Sequence, residues 1–386
     1  MLMNYLEEKL TQKKENGNYR VLLNIDDIRE EALLRTGDFI NLSANDYLGL
    51  AENKSLRKEF LETLNETNFR PSSSSSRLLT GNTLEYQLFE EELASAFNAE
   101  SALLFSCGYH ANTGIIPAIA DHETLILADK LIHASMIDGI KLSDAKCIRF
   151  RHLDYVQLGR LVKEHHSAYR SILIVTESIF SMDGDETDLQ RLVELKKRYP
   201  KVALYIDEAH SFGVRGNRGL GCCEEQNCIE DIDYIVGTFG KALASIGAFL
   251  ISNRTAREYL INSVRPFIFT TALPPVNIAW TRFLFHKLPE FNQERSHLRN
   301  LSAMLHDFIA TTTQPPISTS HIIPIMIGEN KKAIHTAIEL QKQGFYILPI
   351  RPPAVPVGTA RLRISLSAEH TNKQILDLIK QLKQLI

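Results

Sequence analysis

Tyr234-Ile235-Val236-Gly237-Thr238-Phe239-Gly240-Lys241-Ala242 is the stretch from which the rest of the chain can be read. The apolar run Tyr234 to Gly237 predicts a short buried strand, Phe239-Gly240 a tight turn, and Gly247 to Ile251 a second apolar strand. Lys241 is therefore expected at a strand end and not on a solvated helix face. An amine held among apolar neighbours has its charged form disfavoured and becomes a nucleophile towards an aldehyde. A lone lysine usually keeps its head in water, so the reading depends on what surrounds it. A phosphate-binding Walker loop needs glycine where Ile235 stands and Ser or Thr where Ala242 stands, and no G-x-G-x-x-G fingerprint occurs. These absences argue against a nucleotide hydrolase and a dinucleotide-dependent dehydrogenase.

Outward from this stretch the same pattern recurs. Apolar runs at Ala102 to Phe105, Thr124 to Ala128, Cys147 to Phe150, Ile172 to Thr176 and Val202 to Ile206 alternate with helical segments such as Leu189 to Tyr199. Short Ile, Val and Leu runs between helices predict an α/β class with a largely parallel sheet covered on both faces. Ligands of such sheets bind beyond the carboxyl ends of the strands. The chemically capable residues fall there: His133, Glu177, Ser181, Asp207, His210, Thr238 and Lys241. Ser106-Cys107-Gly108-Tyr109 turns from a strand into a helix whose N-terminus offers N–H groups to an anion. Asp207, at the end of an apolar strand, needs a cation such as a protonated pyridine nitrogen.

Residues 1–38 predict an arm, an amphipathic helix bearing Tyr5, Leu6 and Leu10 followed by an irregular connector. Residues 39–275 predict the large domain. Residues 276–386 predict a smaller α+β domain, with strands at Ile322 to Met326, Ile347 to Ile350 and Leu362 to Leu366 and a helix from Ala333 to Gln343. Thr83 is expected to cap a helix with Leu84, Leu88, Leu93 and Phe97 on one face and Glu90, Glu91 and Glu92 in solvent. The net charge of −3 leaves no global field for nucleic acid or anionic membrane. Five cysteines without a paired C-x-x-C arrangement argue against a disulfide framework and a zinc site. The opening residues mix both charges and do not read as a signal peptide, so a cytoplasmic protein acting on small molecules is expected.

Asp207-Glu208-Ala209-His210 and Thr238-Phe239-Gly240-Lys241, with SANDYLGL (Ser43 to Leu50), SRLLTG (Ser76 to Gly81), GYHAN (Gly108 to Asn112), HAS (His133 to Ser135), ESIFSMDGD (Glu177 to Asp185) and GTARLRIS (Gly358 to Ser365), resemble the α-oxoamine synthases. These are acyltransferases of the aspartate-aminotransferase fold, and the likeness runs over nearly the whole chain. It implies pyridoxal 5'-phosphate (PLP) held by Lys241, with Asp207 on the ring nitrogen, His133 against the ring and His210 on the phenolic oxygen. It implies Gly108, Tyr109, Glu177, Ser181 and Thr238 around the same cofactor. Thr271 is implied to reach in from the second subunit of a homodimer.

Within that family the likeness implies L-alanine and a pimeloyl thioester as substrates in biotin biosynthesis. Glycine with acetyl-CoA and serine with palmitoyl-CoA are the alternatives. Arginines suit carboxylates because a planar guanidinium binds them in bidentate fashion. Arg351, Arg363 and Asn45 are expected at the amino-acid carboxylate, and Arg20 near the acyl substrate. The chain departs from the family at Ser72 to Ser76, where glycines are usual, and at Ala354, where a threonine is usual. A regulator built on the same fold would carry a DNA-binding module, which the chain has no basic segment to supply.

Overall fold

A computed structural model of the protein describes residues 2–385. Among them twelve strands form: β1 (Ile40–Asn41), β2 (Ser101–Phe105), β3 (Thr124–Asp129), β4 (Lys146–Phe150), β5 (Ser171–Glu177), β6 (Val202–Asp207), β7 (Tyr234–Thr238), β8 (Ala248–Ser252), β9 (Ile322–Gly328), β10 (Phe345–Tyr346), β11 (Pro349–Ile350) and β12 (Ala360–Ser365). The chain divides into two compact units. One comprises residues 48–181 and 186–295, the other residues 1–47, 182–185 and 296–386.

The larger unit is built on a seven-stranded sheet in the order β2-β8-β7-β6-β5-β3-β4. Its strands run parallel except β8, which is antiparallel to both neighbours. Alternate residues of a strand point to opposite faces. Here both sets are buried: Leu103, Ile126, Leu173, Tyr205, Val236 and Leu250 on one face, and Leu104, Leu127, Ile174, Leu204, Ile235 and Phe249 on the other. A sheet covered on both sides explains why its strands read as continuous apolar runs and not as alternating ones. The first set packs with the helix Gly108–Ile119 through Ala111, Ile115 and Ile116. At Gly237 a Cβ would stand 2.4 Å from the Phe249 ring, so the residue before Thr238 has room only for hydrogen.

In the second unit β9, β12 and β11 form an antiparallel sheet, and β1 pairs with β10 in parallel. Residues 182–185 join it through an ion pair of Asp183 with Arg361 of β12 and a hydrogen bond from Thr319 N to Gly184 O of 3.2 Å. The helix Asn330–Lys342 buries Ala333, Thr336, Ala337 and Leu340, and Asn372–Leu385 buries Ile375, Leu378 and Leu382, each at helical spacing.

Four local expectations differ from the structure. The connector after the first helix contains a second helix, Ile25–Thr36, capped by the Asn24 side chain and stopped by Gly37 at φ 78°; the first helix, Leu2–Glu15, buries none of its residues. The helix Leu84–Ala96 is turned from the expected face: Leu84 is exposed, whereas Tyr86, Phe89, Glu90 and Leu93 are buried. Thr83 occupies the cap position, but its hydroxyl makes no cap bond. The run Ile347 to Ile350 is not one strand. Tyr346 pairs with β1 and Pro349 with β12, the chain turning between them where Leu348 N bonds the Ser43 hydroxyl at 2.9 Å. The contacts also divide the chain after Arg295, inside the helix Asn292–Ala310, and not near residue 275.

Candidate active site

In the larger unit, β5 and β6 lie in register with Glu177 opposite Asp207. Counting by twos from Val175, Tyr205 and Val236 puts Glu177, Asp207 and Thr238 on the face that packs against the helix Gly108–Ile119. The consequence is a cavity of about 180 Å³ beyond the strand ends, lined by Gly108, Tyr109, His133, Glu177, Asp207, His210, Thr238 and Lys241 among others. Eight of the ten residues expected around a cofactor thus share one space. Ser181 is buried, and its backbone N–H bonds the Glu177 carboxyl. Thr271 is exposed and forms an isolated bridge with Ser76.

Lys241 lies three residues beyond β7, with its Nζ 2.9 Å from His210 Nε2. Asp207 accepts hydrogen bonds at both oxygens, from Ala209 N to Oδ1 and from Asn112 Nδ2 to Oδ2, each 2.8 Å. Both of its oxygens are thus fixed in place by donors from the larger unit. Glu177 is enclosed, and burial, with the Asp207 charge second, pushes its carboxyl well above the usual range, so it is the member of the pair that keeps a proton. Its Oε1 has no hydrogen-bond partner. A buried polar atom left unbonded is costly, and this one lines the cavity. The His133 ring reaches solvent, yet the protein crowded around it lowers its pKa below the ordinary value, against the raising effect of Asp207.

The next carboxylate along serves the fold. Glu208 is fully buried and accepts from Cys222 N at 3.0 Å, Cys223 N at 2.6 Å and Ser178 Oγ at 2.6 Å, pinning residues 208–223 behind the cavity. Gly108 opens its helix beside Thr238, and a Cβ there would come within 3.7 Å of the Thr238 Cβ. The helix N-terminus and Thr238 therefore stand side by side, an arrangement suited to phosphate.

Arg20, Arg351 and Arg363 all belong to the smaller unit. Both terminal nitrogens of Arg363, which is buried, stand 3.2 Å from Asn45 Oδ1, which also accepts from Tyr47 Oη at 3.0 Å. Arg351 donates to the Gly17 carbonyl instead of joining that pair, and Arg20 donates to Pro352 O at 3.3 Å. Burial, then the charge of Arg20, lowers the Arg351 pKa, and its buried Nε lacks a partner. Residues 17–20 thus fold back on Arg351 and its neighbour Pro352.

Sequence reading missed Asn112 and Ser135. They stand inside the GYHAN and HAS motifs, but a side chain that bonds other side chains leaves no periodic signal. It also missed Arg77 as the partner of buried Glu90, at 2.5 Å.

The chain matches the family described as aminotransferase class I and II over residues 37–382. It is 48% identical to an 8-amino-7-oxononanoate synthase of Haemophilus ducreyi, covering 98% of this chain and 99% of that one. A protein of Glaesserella parasuis serovar 5 that carries the same name provisionally is 53% identical, over 98% of this chain and 99% of its own. Among solved structures, a serine palmitoyltransferase from S. paucimobilis with a bound PLP–myriocin aldimine superposes with a TM-score of 0.83 at 31% identity, over 90% of this chain and 88% of that one. An 8-amino-7-oxononanoate synthase from Francisella tularensis gives a TM-score of 0.76 at 30% identity, over 90% of this chain and 97% of that one. With this cavity, this sheet order and these relatives, the chain belongs to the aminotransferase class I and II family and, within it, to the enzymes named 8-amino-7-oxononanoate synthase.

Proposed function

We propose that the protein condenses L-alanine with a pimeloyl thioester, on coenzyme A or a carrier protein, to give 8-amino-7-oxononanoate, the free thiol and carbon dioxide. The observation that carries this reading is the cavity in which Lys241, Asp207, Glu177 and His133 meet. The names of the relatives supply the substrates. The donor set fits PLP: an amine for its aldehyde, a doubly hydrogen-bonded carboxylate for its ring nitrogen, an unbonded buried oxygen on Glu177, and a helix N-terminus beside Thr238 for its phosphate. When bound, PLP supplies the aldehyde that takes up an amine and a ring that draws an electron pair from the reacting carbon.

Lys241 Nζ anchors that aldehyde and, once displaced by alanine, removes the proton from the alanine α-carbon. The proton is returned at the same carbon after the new bond to the thioester carbonyl has formed, the thiol has left and carbon dioxide has departed. Asp207 keeps the ring nitrogen protonated, and Asn112 and Ala209 hold its two oxygens in place for that task. His210, against Lys241 Nζ, is assigned to the phenolic oxygen. Arg363 with Asn45 is assigned to the amino-acid carboxylate. Arg351 with Arg20 supplies two adjacent cations suited to an anionic group of the acyl substrate.

The homodimer belongs to the same proposal. Phe269 lies two residues before Thr271, and Leu78 and Leu79 follow Ser76, which bridges Thr271; all three are exposed apolar residues that a second copy would cover. No helix among the described residues is long and apolar enough to cross a membrane.

The deciding experiment crosses alanine, glycine and serine with pimeloyl-, acetyl- and palmitoyl-CoA and weighs the products. Alanine with pimeloyl-CoA should be fastest. Faster turnover of glycine with acetyl-CoA overturns the substrate assignment and leaves the family.

A further inference from the structure

Asn112 is buried in the helix Gly108–Ile119 and carries three hydrogen bonds. Its Nδ2 donates to Asp207 Oδ2 at 2.8 Å and to Ser135 Oγ at 2.9 Å, and its Oδ1 accepts from Tyr205 Oη at 2.7 Å. Ser135, buried in the helix Ala134–Leu142, stands 2.8 Å from His133 Nδ1 through its hydroxyl and 3.2 Å through its backbone N–H. The two helices meet closely enough for this because residue 139 is glycine: a Cβ there would lie 2.4 Å from Asn112 O.

The direction of every proton in this chain follows from its carboxylate end. Asp207 accepts at both of its oxygens, from Ala209 N and from Asn112, so Asn112 turns its NH₂ towards it. The same NH₂ supplies the second proton to Ser135 Oγ, and Asn112 Oδ1 is left to accept from Tyr205. Ser135, already an acceptor, has one proton to give, and the atom within reach is His133 Nδ1. The Ser135 backbone N–H points at that nitrogen too. A ring nitrogen facing two donors cannot carry a proton of its own, which leaves the imidazole proton on Nε2. Burial pushes the Tyr205 phenol and the Glu177 carboxyl well above their ordinary pKa values, both consistent with this polarity.

We propose that Asn112 and Ser135 are positioning residues that transmit the hydrogen-bond polarity of Asp207 to His133 and fix its ring as the neutral Nε2–H tautomer, a donor to an oxygen of whatever occupies the cavity. The inference deepens the reading of the cavity given above, but its test reads the protein's own nitrogens and does not depend on which substrates turn over. His133, which lines the cavity, is then a directed donor and not a general base.

The test is nitrogen-15 NMR of the holoenzyme labelled at histidine, with the His133 signal identified by its loss in His133→Asn. At neutral pH the wild-type ring should show a protonated Nε2 and an accepting, unprotonated Nδ1. Ser135→Ala removes the hydroxyl donor, and Asp207→Asn, though it does not touch His133, lets the Asn112 amide turn over. In neither is the hydroxyl donor fixed on Nδ1; the longer 3.2 Å backbone contact alone remains, and the pure Nε2–H pattern should give way to a mixture of tautomers. Ser135→Thr, which restores a hydroxyl, should recover it. Tyr205→Phe should leave it unchanged, because the carboxylate alone sets the direction. A wild-type ring protonated at Nδ1 overturns the proposal, as does a wild-type pattern retained in both Ser135→Ala and Asp207→Asn. If Asp207→Asn does not fold, Ser135→Ala and its threonine rescue decide the matter alone.

Discussion

Replacing Glu90 by alanine should destabilise the larger unit by about 4 kcal/mol, even though the sequence places this residue among three consecutive glutamates. The Glu90 carboxylate accepts from Arg77 at 2.5 Å, from Arg257 at 2.8 Å and from Leu104 N at 2.8 Å. The Arg77 and Glu90 side chains are only 8% and 5% exposed. Removing the anion strands a buried guanidinium, which typically costs about 3–5 kcal/mol, and leaves the buried Leu104 N–H unbonded, about 1–3 kcal/mol. The Tyr86 ring, 4.0 Å beneath the Arg77 guanidinium, offsets part of the charge. Arg257 is 31% exposed and regains water, so its pair adds little.

The natural reporter is Trp280, the single tryptophan, which lies in the same unit and donates to Ala244 O at 3.1 Å. With a urea m-value of about 2–3 kcal/mol/M, the fluorescence midpoint should fall by roughly 1.3–2 M. Exposed Glu91→Ala is the control and should change stability by less than about 0.5 kcal/mol. The double variant Arg77→Met with Glu90→Leu should recover most of the loss, since an apolar pair no longer buries a charge. A Glu90→Ala midpoint as close to wild type as that of Glu91→Ala would refute the account.

Lys241→Ala should abolish turnover with the Trp280 transition unchanged, and near-normal product formation would sink the proposed role of Lys241. Asp207→Asn should slow the reaction by several kcal/mol of barrier; a loss below about tenfold, roughly 1.4 kcal/mol, contradicts its pairing with the ring nitrogen. Arg363→Ala should raise the KM for alanine and Arg351→Ala that for the acyl substrate, each with cofactor absorbance intact; the reverse pattern would exchange the two assignments. Burial lowers the His370 pKa from 6.5 to about 4, with the Asn41 carbonyl opposing. The unfolded chain therefore takes up this proton first, and stability should fall as pH drops from about 6.5 towards 4, by about 2 kcal/mol at pH 5. His370→Gln should flatten that slope; equal pH dependence in the two proteins would remove His370 from the cause.

The cofactor end of the site was legible because it is local in sequence. Asp207 ends an apolar strand, Lys241 follows another, and the parallel sheet brings such ends together. The class was legible for the same reason: both faces of the sheet are buried, so each strand is an apolar block. What escaped depends on partners far along the chain. Glu90 reads as solvated until Arg77 and Arg257 are brought to it, and the face of its helix was misjudged because Leu84 looked like core. Arg351 stands out in sequence by the motif around it, whereas its contact with the Gly17 carbonyl comes from a segment over 300 residues away. The helix Ile25–Thr36 had its signals in plain view, Asn24 before two aspartates and Gly37 after Thr36, but its weak apolar stripe hid it.

The pairing of β1 with β10 has a consequence for how the protein is made. Ile40 finds Phe345 as its neighbour, and its N–H bonds the carbonyl of Gly344 at 2.9 Å. About 300 residues separate the two, which a ribosome adding roughly 5–20 residues per second takes about 15–60 seconds to synthesise. During that interval the seven-stranded sheet can assemble, all of its strands lying between Ser101 and Ser252. Ile40 and Asn41 meanwhile have no strand to join, and the apolar residues of the preceding helices stay in water. Residues made before the sheet are thus among the last to be ordered, and until Phe345 is made they are the segment a nascent-chain chaperone would find exposed.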